Sequence, residues 1–270
     1  MNDTILLVGC GKMGGALLHG WLERGVDGAG IYVVDPADES RQLTSELGVS
    51  YVEAAQEVPS GILPRVVVFA VKPQITDDVV PDYARYSTSE CVFLSIAAGR
   101  PITYFAERLG DGAAIVRTMP NTPAAIGRGI SVACANQQVS AESRELCGDL
   151  LNAVGKVAWV DDEGLLDAVT ATSGSGPAYV FLLIECLAEA GIAAGLPEDL
   201  ARQLALETVA GAGELARRSE DSPSVLRQNV TSPGGTTAAA LEVLMADDGM
   251  GQLITRAVTA ATRRSEELAG

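Results

Sequence analysis

The spacing of apolar residues changes character once along the chain, and that change divides it. Over residues 1–162 short unbroken apolar runs recur at Ile5–Val8, Ile31–Val34, Val49–Val52, Arg65–Val71, Cys91–Ala97, Ala113–Arg117, Ile130–Ala135 and Lys156–Val160. Runs of this length without polar alternation become strands buried on both faces. Stretches of helical spacing lie between them: Met13–Arg24, with Ala16, Leu17, Trp21 and Leu22 facing inward, then Asp38–Leu47 and Ala141–Val154. Strands alternating with helices predict a doubly wound, mostly parallel α/β domain. From Glu163 the β-runs stop and residues 163–270 read as all-helical, with helices at Ala178–Ala194, Leu200–Arg218, Ala238–Met245 and Gly251–Leu268. Ser173-Gly174-Ser175-Gly176 breaks the pattern, and Pro177 suits a first helical turn.

The Ala178–Ala194 stretch is apolar almost all round, interrupted only by Glu185 and Glu189. A run this short with two acids is not expected to span a membrane. A helix apolar on every face must be covered on every face, and so small a helical domain has little interior to cover it. An obligate homodimer is the expectation.

The first strand leads straight into chemistry. Val8-Gly9-Cys10-Gly11-Lys12-Met13-Gly14 places glycines at the three positions of a dinucleotide fingerprint. The first permits the tight turn, the second lets a pyrophosphate approach the backbone, and the third lets the next helix pack against the strand. Asp35 ends the second strand, about 20 residues on, where a carboxylate can take both ribose hydroxyls of adenosine. A 2′-phosphate there would meet like charge, so NADH is favoured over NADPH, although Arg41 in the next helix can offset part of the repulsion. Ligands of such sheets bind beyond the carboxyl ends of the strands. That adds Ala70-Val71-Lys72-Pro73 and Ala97-Ala98 to the expected cofactor contacts, Lys72 being one of only three lysines.

Composition narrows the classes. A net charge of −16 opposes a nucleic-acid or anionic-membrane surface. The five cysteines are scattered and odd in number, which gives neither a zinc motif nor a disulfide framework; most are expected as small core residues, with Cys10 exposed to the dinucleotide. The chain opens into a strand with no targeting segment, so a cytoplasmic location is expected. The only histidine, His19, lies mid-helix, and residues 157–270 hold neither lysine nor histidine. That disfavours hydroxy-acid dehydrogenation, which calls for a base to take the alcohol proton. The helical part instead offers Asn229-Val230-Thr231-Ser232-Pro233-Gly234-Gly235-Thr236-Thr237, a glycine turn whose amides precede a helix and form an anion cradle. Ordinary helix capping by threonine explains one hydroxyl of that string but not the whole of it.

Four strings, V-K-P at 71–73, M-P-N-T-P at 119–123, S-G-S-G-P-A-Y at 173–179 and T-S-P-G-G-T-T at 231–237, occur in order along nearly the whole chain. Together they resemble the pyrroline-5-carboxylate reductase family. The resemblance implies a Rossmann domain followed by a helical domain that forms an interlocked homodimer, with dimers that often assemble further. It implies reduction of 1-pyrroline-5-carboxylate to L-proline with hydride from NAD(P)H. It places the substrate loop at Ser232, Pro233, Gly234, Gly235, Thr236 and Thr237, a substrate-contacting glutamate at Glu163 and a cofactor asparagine at Asn229. Thr237 and Glu163 are the residues expected at the reacting ring, and no metal is called for. The imine takes its proton readily from water, so a strong protein acid is dispensable. The family often carries small or basic residues for a 2′-phosphate where Asp35 stands here. Two alternatives stay open: a reductase of a related cyclic imine, and a non-catalytic NAD(P)-sensing module.

Overall fold

The computed structural model describes residues 4–269. Its chain follows the order β1 (Ile5–Val8), α1 (Lys12–Glu23), β2 (Ile31–Val34), α2 (Asp38–Leu47), β3 (Ser50–Val52), β4 (Val66–Phe69), α3 (Thr76–Val79), β5 (Val92–Ser95), α4 (Ile102–Leu109), β6 (Ala114–Met119), β7 (Gly129–Ala135), α5 (Ala141–Asn152) and β8 (Gly155–Trp159). It continues through α6 (Leu165–Val169), α7 (Gly176–Ala193), α8 (Glu198–Arg218), α9 (Pro223–Asn229), α10 (Thr236–Leu244) and α11 (Met250–Ala269). The eight strands form one sheet in the order β3-β2-β1-β4-β5-β6-β7-β8. Every neighbouring pair is parallel except β6–β7.

The apolar runs form strands because both faces of the sheet are covered, as parallel sheets require. Alternate residues of β1 serve opposite layers: Ile5 and Leu7 join Leu17, Leu18 and Trp21 on one side, whereas Leu6 and Val8 join Phe69, Phe93 and Phe105 on the other. Trp21 is fully buried, and its Nε1 donates to the Leu150 carbonyl at 2.9 Å, which ties α1 to α5. The phenyl rings of Phe69, Phe93 and Phe105 stack beneath the opposite layer.

Several expectations need correction. Ala16 and Leu22 are only partly buried, while Leu18, which the pattern did not single out, is fully enclosed. The Ile102–Leu109 helix was not expected; Phe105 and Leu109 bury one face of it, a spacing hidden by the preceding Gly99-Arg100-Pro101. Cys10 is buried rather than exposed to a ligand, and Cys186 on α7 is exposed.

Two compact units result, residues 1–174 with 262–270, and residues 175–261. This division falls later than the expected boundary after residue 162. Leu166 of α6 is fully buried with Val132 and Cys134 of β7, so the first helical turns after the boundary belong to the sheet. Residues Thr170–Gly174 widen into a π-helical turn before α7. The helical run Leu165–Ala193 is 29 residues, longer than the sequence pattern suggested, and by length and composition it is sufficient to cross a bilayer. In the second unit α7 buries only Ala188, while Phe181 and Leu182 are 58% and 57% exposed.

Candidate active site

The first unit opens a cleft at the carboxyl ends of its central strands. Gly9 turns with φ +91°, in the left-handed region that glycine tolerates. A Cβ on Gly14 would stand 2.2 Å from the Gly9 carbonyl oxygen, whereas one on Gly11 would meet no protein atom within 4 Å. The three glycines thus separate into two kinds. Gly9 and Gly14 are demanded by the fold itself. Gly11 faces open space, which a pyrophosphate against the α1 N-terminus could enter. Gly11 is the N-cap of α1 and supplies no side chain, so no side-chain oxygen competes for those amides.

A cavity of about 550 Å³ extends from this turn. Of the expected cofactor contacts, Val8, Gly9, Gly11, Asp35, Ala70, Val71 and Lys72 line it. Cys10, Lys12, Met13, Gly14, Pro73, Ala97, Ala98 and Asn229 do not. Cys10 turns its thiol into the core, where burial first and the Asp35 carboxylate second push it up to about 11. Lys12 is exposed at the start of α1, Met13 packs partly into the core and Gly14 is buried under the turn. Ala97 is buried, and Ala98 is exposed on the loop after β5, whose strand lies beside β4 in the same parallel array.

Asp35 has a double structural role. Its Oδ2 accepts the Cys10 amide at 2.6 Å and its Oδ1 accepts the Ala37 amide at 2.8 Å. The carboxylate therefore holds the glycine turn and the entry to α2 in fixed relation. Each carboxylate oxygen retains acceptor capacity beyond one N–H, so ribose hydroxyls remain acceptable partners. Sequence reasoning missed the rest of this wall: Glu53, Gln56, Asp78 and Asp82 also line the cavity.

Glu163 lies in the first unit. Its Oε1 accepts Arg117 Nη1 at 2.7 Å and the Ile102 amide at 2.8 Å, replacing the cap that Pro101 fails to give α4. Arg117 was not singled out from the sequence, although an arginine inside the apolar run Ala113–Arg117 was a signal. The loop between β5 and α4 is thereby held at both ends, because Ser95 Oγ accepts the Ala97 amide at 3.2 Å. A second tie crosses to the V-K-P string: Arg100 donates to the Pro73 carbonyl, and Asp77 accepts from Arg100, Arg108 and the Tyr104 hydroxyl. These donors hold the Asp77 carboxyl below its ordinary range, the Tyr104 bond contributing most. The M-P-N-T-P and S-G-S-G-P strings also meet. Asn121 Nδ2 donates to Ser173 Oγ at 3.2 Å, and the Met119 methyl occupies the space a Cβ on Gly174 would need.

Asn229 and the Ser232–Thr237 loop belong to the second unit, where Asn229 ends α9 and is exposed. Gly234 turns with φ +69°, and the Gly235 amide donates to the Ser232 carbonyl at 3.0 Å. Gly235 is the N-cap of α10 and no side chain caps the helix. Threonine capping therefore does not account for Thr236 and Thr237. They stand as the first two helical residues, beside amides that the helix itself leaves unpaired.

Comparison with known proteins bears on what these parts do together. A family described as "Pyrroline-5-carboxylate reductase dimerisation" matches residues 163–268, and one described as "NADP oxidoreductase coenzyme F420-dependent" matches residues 4–99. A pyrroline-5-carboxylate reductase of Pseudomonas aeruginosa is 43% identical over 269 residues, covering 99% of this chain and 97% of that one. The chain belongs to the pyrroline-5-carboxylate reductase family. A solved reductase from Coxiella burnetii superposes with a TM-score of 0.93 at 34% identity, covering all of both chains. A Plasmodium falciparum pyrroline carboxylate reductase, solved with NADP bound, gives 0.84 at 30% identity, covering 100% of this chain and 99% of that one. As a family member the chain is an NAD(P)H-dependent oxidoreductase, and its helical part is a dimerisation region.

Proposed function

We propose that this enzyme reduces 1-pyrroline-5-carboxylate to L-proline in the cytoplasm as a homodimer, and that it draws on NADH in preference to NADPH. The observation that carries the cofactor reading is Asp35, set into the wall of the cleft with both oxygens anchored to backbone amides. Swinging this carboxylate aside to admit a 2′-phosphate would break both bonds. At about 4 Å and an effective dielectric near 20, the repulsion is roughly 4 kcal/mol per unit charge before screening. The NADP-bound Plasmodium relative shows that the family fold accommodates the phosphate; here the carboxylate opposes it.

When bound, the reduced nicotinamide supplies the hydride that adds to the imine carbon, while the ring nitrogen ends as an amine after taking one proton from water. The chain's own residues hold and orient. Gly9, Gly11 and the α1 N-terminus take the pyrophosphate, Asp35 takes the ribose, and Val71, Lys72, Ala97 and Ala98 follow the dinucleotide along the strand ends, with Asn229 as a further contact. The amides of Gly234 to Thr237 receive the substrate carboxylate, for which an uncapped helix start is suited. The Thr237 hydroxyl is assigned to the ring nitrogen. Glu163, whose Oε1 is engaged by Arg117 and Ile102, is assigned to the substrate through Oε2. Nothing in this scheme requires a strong protein acid, in keeping with the absence of lysine and histidine from residues 157–270.

The test is the rate of NADH and NADPH oxidation that depends on 1-pyrroline-5-carboxylate, expressed as kcat/KM for each cofactor in the parent and in Asp35→Ser. A higher value for NADH, reversed or levelled by the substitution, supports the reading. No imine-dependent oxidation refutes the activity, and a parent that prefers NADPH refutes the role of Asp35.

A further inference from the structure

The cleft contains a second feature that bears on cofactor choice, at the end of β3. Glu53 lines the cavity together with Asp35 and Pro36. Its carboxylate pairs with the guanidinium of Arg41. Arg41 follows Ser40 in the first turns of α2, and Ser40 Oγ lies 3.4 Å from the Cys10 carbonyl oxygen of the glycine turn. The cation that α2 carries nearest to the ribose end is thus turned toward β3, where its guanidinium also lies 5.5 Å from the Tyr51 ring centroid. Among the described residues lining the cavity Lys72 is the one cation, alongside Asp35, Glu53, Asp78 and Asp82.

We infer that Glu53 is a specificity-determining residue, which withholds Arg41 from a 2′-phosphate by pairing with it and so reinforces the choice of NADH. The inference rests on the reading of Asp35 as the ribose acceptor. Glu53 acts through this pairing: it occupies the only nearby guanidinium among the described α2 residues. Both partners are about half exposed, 54% and 51% at the side chain, so the pair is screened and its effect is modest. An exposed pair of this kind shifts an affinity by up to about fivefold. Asp35 carries the larger share, and Glu53 keeps the neighbouring arginine from undoing it.

The experiment measures dissociation constants of NADP⁺ and NAD⁺ by titration calorimetry on the full-length dimer, independent of turnover. Glu53→Gln is expected to tighten NADP⁺ by about fivefold and to leave NAD⁺ within twofold. In Glu53→Gln/Arg41→Ala the gain for NADP⁺ is expected to disappear, since the released guanidinium supplies it. If Glu53→Gln leaves NADP⁺ unchanged while the parent still prefers NAD⁺, Glu53 has no such role and the Asp35 reading stands. A gain that survives removal of Arg41 also overturns the inference, because simple charge removal would then suffice. A parent that binds NADP⁺ more tightly than NAD⁺ overturns the Asp35 reading and this inference together.

Discussion

Arg117 reaches Glu163 across the first unit, Nη1 to Oε1 at 2.7 Å, with the arginine side chain only 7% exposed. A buried arginine left without its carboxylate strongly destabilises a fold. Arg117→Met removes the buried charge but leaves the Ile102 amide bonded to Glu163. Glu163→Ala leaves the arginine stranded and strips α4 of its cap. We expect Glu163→Ala to cost about 3 kcal/mol of unfolding free energy in urea, and Arg117→Met to cost clearly less.

Glu163→Gln separates structure from substrate contact. The amide oxygen can still accept from Ile102 and Arg117, so the variant should stay folded. If the carboxylate meets the substrate, the KM for the imine rises while that for NADH holds. An unchanged imine KM would confine Glu163 to its structural role.

Thr237→Ala should lower kcat by about a hundredfold, the usual scale for removing one donor at a reacting group, with cofactor affinity unaltered. Thr237→Ser should recover most of the loss, because α10 takes no cap from either threonine. Equal turnover in Thr237→Ala and parent would remove the hydroxyl from the mechanism.

The glycine fingerprint divides by experiment as it does by geometry. Gly14→Ala drives a methyl against the Gly9 carbonyl and should cost at least about 2 kcal/mol of stability. Gly11→Ala meets nothing in the protein. Its unfolding midpoint should match the parent, while dinucleotide affinity falls by roughly tenfold or more from the added methyl. Calorimetric titration alongside thermal melts reads both quantities.

For Cys10 the sign is fixed by burial. The folded-state value of about 11 lies above the ordinary 9.0, so the fold favours the protonated thiol. Its contribution to stability is complete below pH 9 and is lost as pH rises through about 11. Peptide-resolved iodoacetamide labelling of the native protein should leave Cys10 unmodified at pH 8, and rapid modification there would contradict its burial.

On α7, Phe181 is 58% exposed in the single chain, and covering such a side chain is worth about 2 kcal/mol. Phe181→Asp should shift sedimentation from dimer to monomer, and an unchanged dimer would place the interface elsewhere.

How much of this was legible in the residues follows from how local each signal is. The strands, the glycine turn and the placing of Pro177 in the first turn of α7 are written in contiguous residues, and the apolar runs alternating with helical spacing lead to a mostly parallel sheet. Arg117 and Glu163 are 46 positions apart, and no periodicity links them; the arginine's place in an apolar run marks it as unusual without naming its partner. Asp35 was legible as a strand-end acid, but its bond to the Cys10 amide depends on how β1 and β2 align. The boundary at residue 162 followed the loss of β-runs, whereas packing follows Leu166 onto the sheet. Arg41 was read from the sequence as able to approach the phosphate; its pairing with Glu53, just past β3, was not legible there.

The strand order has a consequence for how the chain is made. β1 is the first strand to be synthesised, yet it sits between β2 and β4, with Ile5 opposite both Ile31 and Val66. Its second edge stays open until β4 has left the ribosome, so the centre of the sheet is completed only on that arrival. The apolar face of α7 emerges later still, when the strands have already been made. Finding a partner is then a bimolecular step whose rate depends on protein concentration. Refolding from denaturant should accordingly show a slow phase that accelerates with concentration, and dilute refolding should lose yield to aggregation before that phase completes.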